Sequence, residues 1–185
     1  MASASEYEAS PHPCRKPPDA LYNEYGKGDI ELIPILPVPP DPDIVHDSLD
    51  GLSVGDALGA QFFVPGRSLP DLLAGRPPAT PWEWTDDTEM ACSIYAQIST
   101  HGRIDRDTLA KEFADRCEPY RGYGGGTVVV LHQIRDGRPW AEAAGAAFDG
   151  AGSWGNGAAM RVAPLGAYFA GNPDRAAAQA ALSAN

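Results

Sequence analysis

Apolar positions recur at helical spacing through most of the chain, and glycine and proline mark the breaks between them. A first helix is predicted from about Ile44 to Phe62, with Asp43 as its N-cap. A loop rich in glycine and proline follows, from Pro65 to Pro81. Met90, Ala91, Ile94, Tyr95 and Ile98 lie three and four apart, so a second helix begins within Thr85 to Thr88 and stops at His101-Gly102. A third starts near Asp105, where Leu109, Phe113 and Cys117 share one face. The run Thr127 to Ile134, TVVVLHQI, suits a buried strand as well as a helix. It is read as helix because its neighbours are helical and no second strand candidate exists to pair with it. Pro139 suits the first turn of a helix reaching Phe148, and Ala158 to Phe169 suits another, bent at Pro164. Asn172-Pro173 opens a last alanine-rich helix. The expected fold is all-α, a compact multi-helix domain without fixed-period repeats.

Upstream the pattern dissolves. Nine of the 18 prolines fall in residues 1–46, and PILPVPPDP, Pro34 to Pro42, favours an extended polyproline arm. The expected organisation is an irregular arm over residues 1–43 and a folded part over residues 44–185. With 43% apolar residues the folded part can bury a core. A net charge of −11 argues against a nucleic-acid backbone or an anionic membrane surface as partner and suits cations. No apolar run approaches the length of a membrane span, and the first residues lack a secretion signal, so a soluble, cytoplasmic protein is expected. Cys14, Cys92 and Cys117 are odd in number and widely spaced, which supports neither a disulfide framework nor a zinc site.

The densest chemistry lies in Trp82-Glu83-Trp84-Thr85-Asp86-Asp87-Thr88-Glu89. Two adjacent carboxylates flanked by hydroxyls are hard oxygen donors of the kind magnesium, manganese or calcium prefers. The same residues also read as helix-start chemistry: Asp86 with Glu89 fits a capping box, and an acidic first turn complements the helix dipole. Both readings stand, since one carboxylate can cap while its neighbour binds. Asp56, inside the apolar first helix, either orients a site or caps a neighbouring helix end. Gly51, Gly55 and Gly59 share a face of that helix at a combined cost of about 3 kcal/mol relative to alanine, which close packing against another helix would offset.

Two glycine-rich junctions complete the candidates. Gly150 to Gly157 contains a formal G-x-G-x-x-G, but the segment before it reads as helix where a dinucleotide fold needs a strand. What remains is a loop running into the helix that carries Met160 and Arg161, where free N–H groups could meet a diphosphate. Tyr123 to Thr127, YGGGT, is a second junction of that kind. For each, an ordinary turn and cap is the plainer alternative. There is no P-loop and no nucleophile elbow, and the four histidines show no ligand spacing.

In order and spacing, GLSVGDALG, WTDDTEMA, YGGGT and GSWGNGAAMRVAPLGAYF resemble the ADP-ribosylglycohydrolase family, over about Asp47 to Asn185. The resemblance implies an all-α fold whose two magnesium or manganese ions position ADP-ribose for cleavage from a modified protein or another acceptor. It implies Thr85, Asp86 and Asp87 as metal ligands, with Asp86 and Asp87 carrying the catalysis. It places Ser153, Trp154, Gly155 and Asn156 in the loop that holds ADP-ribose. Where the family carries a glutamate shortly after GDALG, this chain has Ala60-Gln61-Phe62-Phe63. The family's Thr-His motif and second acidic cluster, Asp-x-Asp-Thr, would fall beyond residue 185, so the chain corresponds to an N-terminal portion with an incomplete binuclear site. Three roles stay open at this level: a hydrolase, a non-catalytic ADP-ribose-binding module, and one piece of a split enzyme completed by a second chain.

Overall fold

The computed structural model describes residues 40–63, 69–150, 152–153 and 155–184. Helices and short 3-10 turns are the only regular elements among the described residues. The greater part of the proline-rich arm, residues 1–39, lies outside them.

Helix α1 spans Pro42–Ala60. Asp41, not Asp43, is its N-cap: the Asp41 carboxylate accepts the Asp43 N–H at 3.0 Å, and Pro42 takes a first-turn position that needs no donor. The folded part therefore starts slightly earlier than the sequence pattern suggests. The α1 glycines also correct an expectation. Among the described residues nothing lies within 4 Å of a Cβ built at Gly51, Gly55 or Gly59, so no described helix packs closely against them. A short helix, α2 (Leu69–Leu73), interrupts the predicted Pro65–Pro81 loop.

The central helix α3 (Asp86–His101) begins and ends as its sequence dictates. Thr85 is the N-cap, and Gly102, at φ 63, closes the far end in the left-handed region, its N–H returning to the Ile98 carbonyl at 2.9 Å. Its apolar stripe is the middle of the core: Ala91, Ile94 and Ile98 are fully buried, and Met90 nearly so. Helix α4 (Arg106–Arg116), capped by Asp105, adds Leu109 and Phe113, with Cys117 just past its end. Helix α5 (Gly125–Arg135) settles the TVVV ambiguity in favour of helix. Leu131 is buried, Val128 and Ile134 pack on the core, and Val129 is exposed, a helical rather than an alternating distribution. Arg135 of α5 donates to the carbonyls of Ala114, Asp115 and Cys117, satisfying the C-terminal acceptors of α4.

Beyond α5 the expected helices are shorter. Helix α6 (Trp140–Gly145) does not reach Phe148. Residues Ala147–Gly150 form a 3-10 turn in which Phe148 and Asp149 take φ 53 and 55, a conformation no α-helix continues through. Residues 157–161 form turns, and helix α7 is Ala163–Tyr168. Pro164 thus starts a helix and does not bend one, as its missing N–H favours. Helix α8 is Pro173–Ala184. Helix α3 packs against α1, α4 and α7; α7 also meets α1 and α8; and α5 sits on α4 and α6. No described helix is long and apolar enough to cross a membrane.

Candidate functional site

The acidic turn is built where α1 meets the start of α3. Asp56, about four turns along α1, reaches the first turn of α3 and accepts four hydrogen bonds there. Its Oδ2 takes the Thr85 N–H at 2.7 Å, the Thr88 N–H at 3.3 Å and the Thr88 hydroxyl at 2.6 Å. Its Oδ1 takes the Thr85 hydroxyl at 2.5 Å. The two roles weighed for Asp56 are thus one arrangement: it satisfies orphan donors of α3 and in doing so fixes both threonines beside the aspartates.

Capping by Thr85 and Asp56 leaves Asp86 and Asp87 without that duty, and Glu89 is equally unavailable for a capping box. Glu89 is buried and accepts the Tyr123 hydroxyl at 2.7 Å and the Glu118 N–H at 3.3 Å. Asp86 and Asp87 stay partly buried at the surface of the same turn. Burial, then the Asp87 charge, pushes the Asp86 carboxyl up to about 6. Burial and the Asp56 charge raise Asp87 as well.

Thr85, Asp86 and Asp87 are brought together as expected. Glu89, of the same acidic segment, turns inward beside them, and Tyr123, Gly122 and Arg121 join them unannounced by the local pattern. Gly122, at φ 93, runs beside the turn: a Cβ built there would lie 3.6 Å from Asp86 Oδ1. Arg121 lays its guanidinium 3.5 Å over the Trp84 ring and donates to the Trp84 carbonyl at 3.1 Å and to Glu83 at 3.0 Å, pinning the chain that enters the turn. The YGGGT junction therefore borders the acidic turn, and it opens α5 with no side-chain cap at Gly124.

The other junction is arranged differently. Ser153, Gly155 and Asn156 are exposed, and Trp154 lies outside the described residues. The Gly155 N–H is given to Ser153 Oγ at 3.0 Å, and the Asn156 carbonyl accepts from Ala159 and Met160. Because α7 starts only at Ala163, this loop runs into turns; the expected helix N-terminus does not exist there. Among the described residues no hydrogen bond joins the loop to the acidic turn. The connection runs through Arg161, whose buried guanidinium contacts Met90 Sδ on α3 at 3.6 Å, lies over the Phe113 ring and donates to the Ser183 carbonyl. A cleft of about 360 Å³ between α4, α5 and α6, lined by Lys111, Arg135 and Trp140, contains none of the candidate residues.

As donors, Thr85, Asp86 and Asp87 are hard oxygens and suit a hard divalent cation. Their number falls short of a full shell: among the described residues no three His, Cys, Asp or Glu side chains are grouped to hold a metal. Phe63, near the position where the family glutamate would stand, is 91% exposed and offers no donor.

The raised Asp86 carboxyl carries a prediction independent of any ligand. A folded-state value above the unfolded one means that the fold holds the proton more tightly. Its stabilising contribution is complete below about 4 and is lost as pH rises through about 6. Asp86→Asn keeps the shape without the charge, so the stability difference between variant and wild type should widen in the variant's favour between pH 4 and pH 7. Urea unfolding across that range checks it; a difference that stays constant with pH would contradict it.

A sequence profile of the family described as ADP-ribosylglycohydrolase matches residues 39–185. The ADP-ribosylhydrolase ARH3 of Gallus gallus is 37% identical over 148 residues, covering 68% of this chain and 40% of that protein. The ARH3 of Homo sapiens is 37% identical over 95 residues, covering 49% and 26%. The ADP-ribosylarginine hydrolase Tri1 of Serratia proteamaculans is 36% identical over 75 residues, covering 38% and 20%. The chain thus spans well under half the length of these relatives.

Proposed function

Because the chain belongs to the ADP-ribosylglycohydrolase family, we propose that it contributes the first half of a site that removes ADP-ribose from a modified protein or other acceptor with the help of magnesium or manganese. The observation that carries this reading is the first turn of α3: Thr85, Asp86 and Asp87 are partly buried together, the two aspartates freed from capping by Thr85 and Asp56, beside the uncapped start of α5. Thr85, Asp86 and Asp87 would form one side of the shell of a divalent ion. The remaining positions fall to water, substrate hydroxyls and residues outside those described. When bound, the ion would fix the ribose and lower the pKa of a water.

The chain's own residues supply the rest. Cleavage at the ribose C1′ develops oxocarbenium-like charge, so the diphosphate and the ribose have to be held still while the bond breaks. The uncapped N–H groups of Gly125 and Gly126 are suited to the diphosphate, with the positive end of α5 behind them. Ser153, Trp154, Gly155 and Asn156 are proposed to close over the ADP-ribose. The carboxylates of Asp86 and Asp87 would set negative charge toward the cationic transition state.

A second reading is favoured by the lack, among the described residues, of a third carboxylate grouped with these two to hold a metal, and by Phe63: an ADP-ribose-binding module that turns nothing over, or a half-enzyme completed by a second chain. Calorimetric titration with ADP-ribose in magnesium, in manganese and in chelator separates these readings. The proposed role predicts binding that tightens with the ion. Binding that is equal with and without the ion assigns the chain to the module, and no binding in any buffer removes the reading altogether. Recovery of turnover on adding the C-terminal portion of a relative would identify the half-enzyme.

A further inference from the structure

We infer that Asp56 is the positioning residue of the acidic turn: by taking the Thr85 hydroxyl proton it turns that oxygen's lone pairs toward Asp87 and an incoming cation. The inference rests on the reading that Thr85 and Asp87 face a divalent ion. A threonine hydroxyl has one proton and two lone pairs. Two carboxylate oxygens lie within reach of the Thr85 hydroxyl, Asp56 Oδ1 at 2.5 Å and Asp87 Oδ2 at 3.3 Å. The proton goes to the shorter contact, which has the length of a charge-assisted bond. One lone pair then faces the Asp87 N–H at 3.4 Å. Thr85 Oγ1 and Asp87 Oδ2 are left 3.3 Å apart with no proton between them, two acceptors facing each other, and a cation shared by both relieves that opposition.

Asp56 is held to this task from its other side. Its Oδ2 is saturated by the Thr85 N–H, the Thr88 N–H and the Thr88 hydroxyl, so the carboxylate cannot rotate without abandoning three donors. Asparagine at this position has one acceptor and one donor end. If its oxygen keeps the three donors, its NH2 faces Thr85 Oγ1, and the threonine proton swings to Asp87 and closes the pair.

The test uses the full chain, labelled for NMR, with Mn2+ as the probe. Mn2+ added to wild type should broaden the amides of Asp86, Asp87 and Thr88. Asp56→Asn should raise the Mn2+ concentration needed by about tenfold or more, the usual cost of losing an outer partner of a metal ligand. Thr85→Val should do the same. Thr88→Val also takes a bond from Asp56 but leaves the Thr85 proton in place, so it should lose stability and keep the wild-type Mn2+ response, which a merely structural role of Asp56 would not allow. Should Asp56→Asn fail to fold, the contrast between Thr85→Val and Thr88→Val decides alone. Equal responses in those two variants, or an unchanged response in folded Asp56→Asn, overturn the inference. Absence of broadening in wild type overturns the divalent-ion reading itself and the inference with it.

Discussion

Asp87→Asn and Asp86→Asn are each expected to abolish ion-dependent binding of ADP-ribose and any ion-dependent turnover. The expected loss of Mn2+ affinity exceeds about 100-fold, because even outer partners of a metal ligand cost 10- to 100-fold. Both substitutions keep the size of the side chain and its hydrogen-bonding reach, and neither residue caps α3, since Thr85 and Asp56 do. Helix start and site can therefore be separated by experiment. If the aspartates served only to begin the helix, both variants would unfold more easily and the metal response would survive. The account expects the reverse: the metal response lost, and stability unchanged or raised, since burial and mutual repulsion already oppose these charges. Titrations of both variants with Mn2+, paired with urea unfolding, measure the two quantities side by side.

The second large effect is on the scaffold. Ile94 sits two turns along α3 from Asp86 and is fully buried among residues of the core. Ile94→Ala should cost about 2–5 kcal/mol, the transfer free energy of the deleted methyls plus the cavity they leave. Against a total stability of about 5–15 kcal/mol that is a large share. Val129, 56% exposed on α5, is the control: Val129→Ala should fall within about 0.5 kcal/mol of wild type. A shift in the urea midpoint at unchanged slope is the readout. Equal effects at the two positions would mean that α3 is not the centre of the core. Because α3 also carries the acidic turn, Ile94→Ala should loosen Mn2+ binding only in proportion to the unfolded fraction.

The helices that were legible in the sequence carry both their signals inside one short window. Thr85 and Gly102 bracket the α3 stripe, and Asp105 precedes that of α4, so caps and periodicity agree. In α1 two aspartates flank Pro42, and either could cap; only the hydrogen bond to Asp41 decides. For α6 and α7 the sequence predicts the helices but overextends their bounds, because alanine and glycine pack little and leave no stripe, so the 3-10 turn around Phe148 and the start at Ala163 are set by tertiary context. Within the candidate site, the adjacent aspartates and their flanking hydroxyls stand out by residue type, while Thr85, Asp86 and Asp87 as a ligand set follow from the family resemblance. What holds them was not legible. Asp56 lies 29 residues from Thr85, and Tyr123 lies 34 from Glu89; no local pattern couples such pairs. The nearness of Gly122 to Asp86 likewise exists only once the connection between α4 and α5 folds back on α3, where the Tyr123 hydroxyl meets Glu89.

The central claim is that the aspartates of the α3 turn hold an ion which faces ADP-ribose. It is tested most directly by adding Mg2+ and then ADP-ribose to the labelled chain and following amide chemical shifts residue by residue. The account predicts shifts at Asp86 to Thr88 from the ion alone. On adding the nucleotide, further shifts should appear at Gly124 to Thr127 and in the Ser153 to Asn156 loop, and the ion-dependent shifts should be absent in Asp87→Asn. Shifts that leave Asp86 and Asp87 untouched, or that are identical in Asp87→Asn, would contradict it.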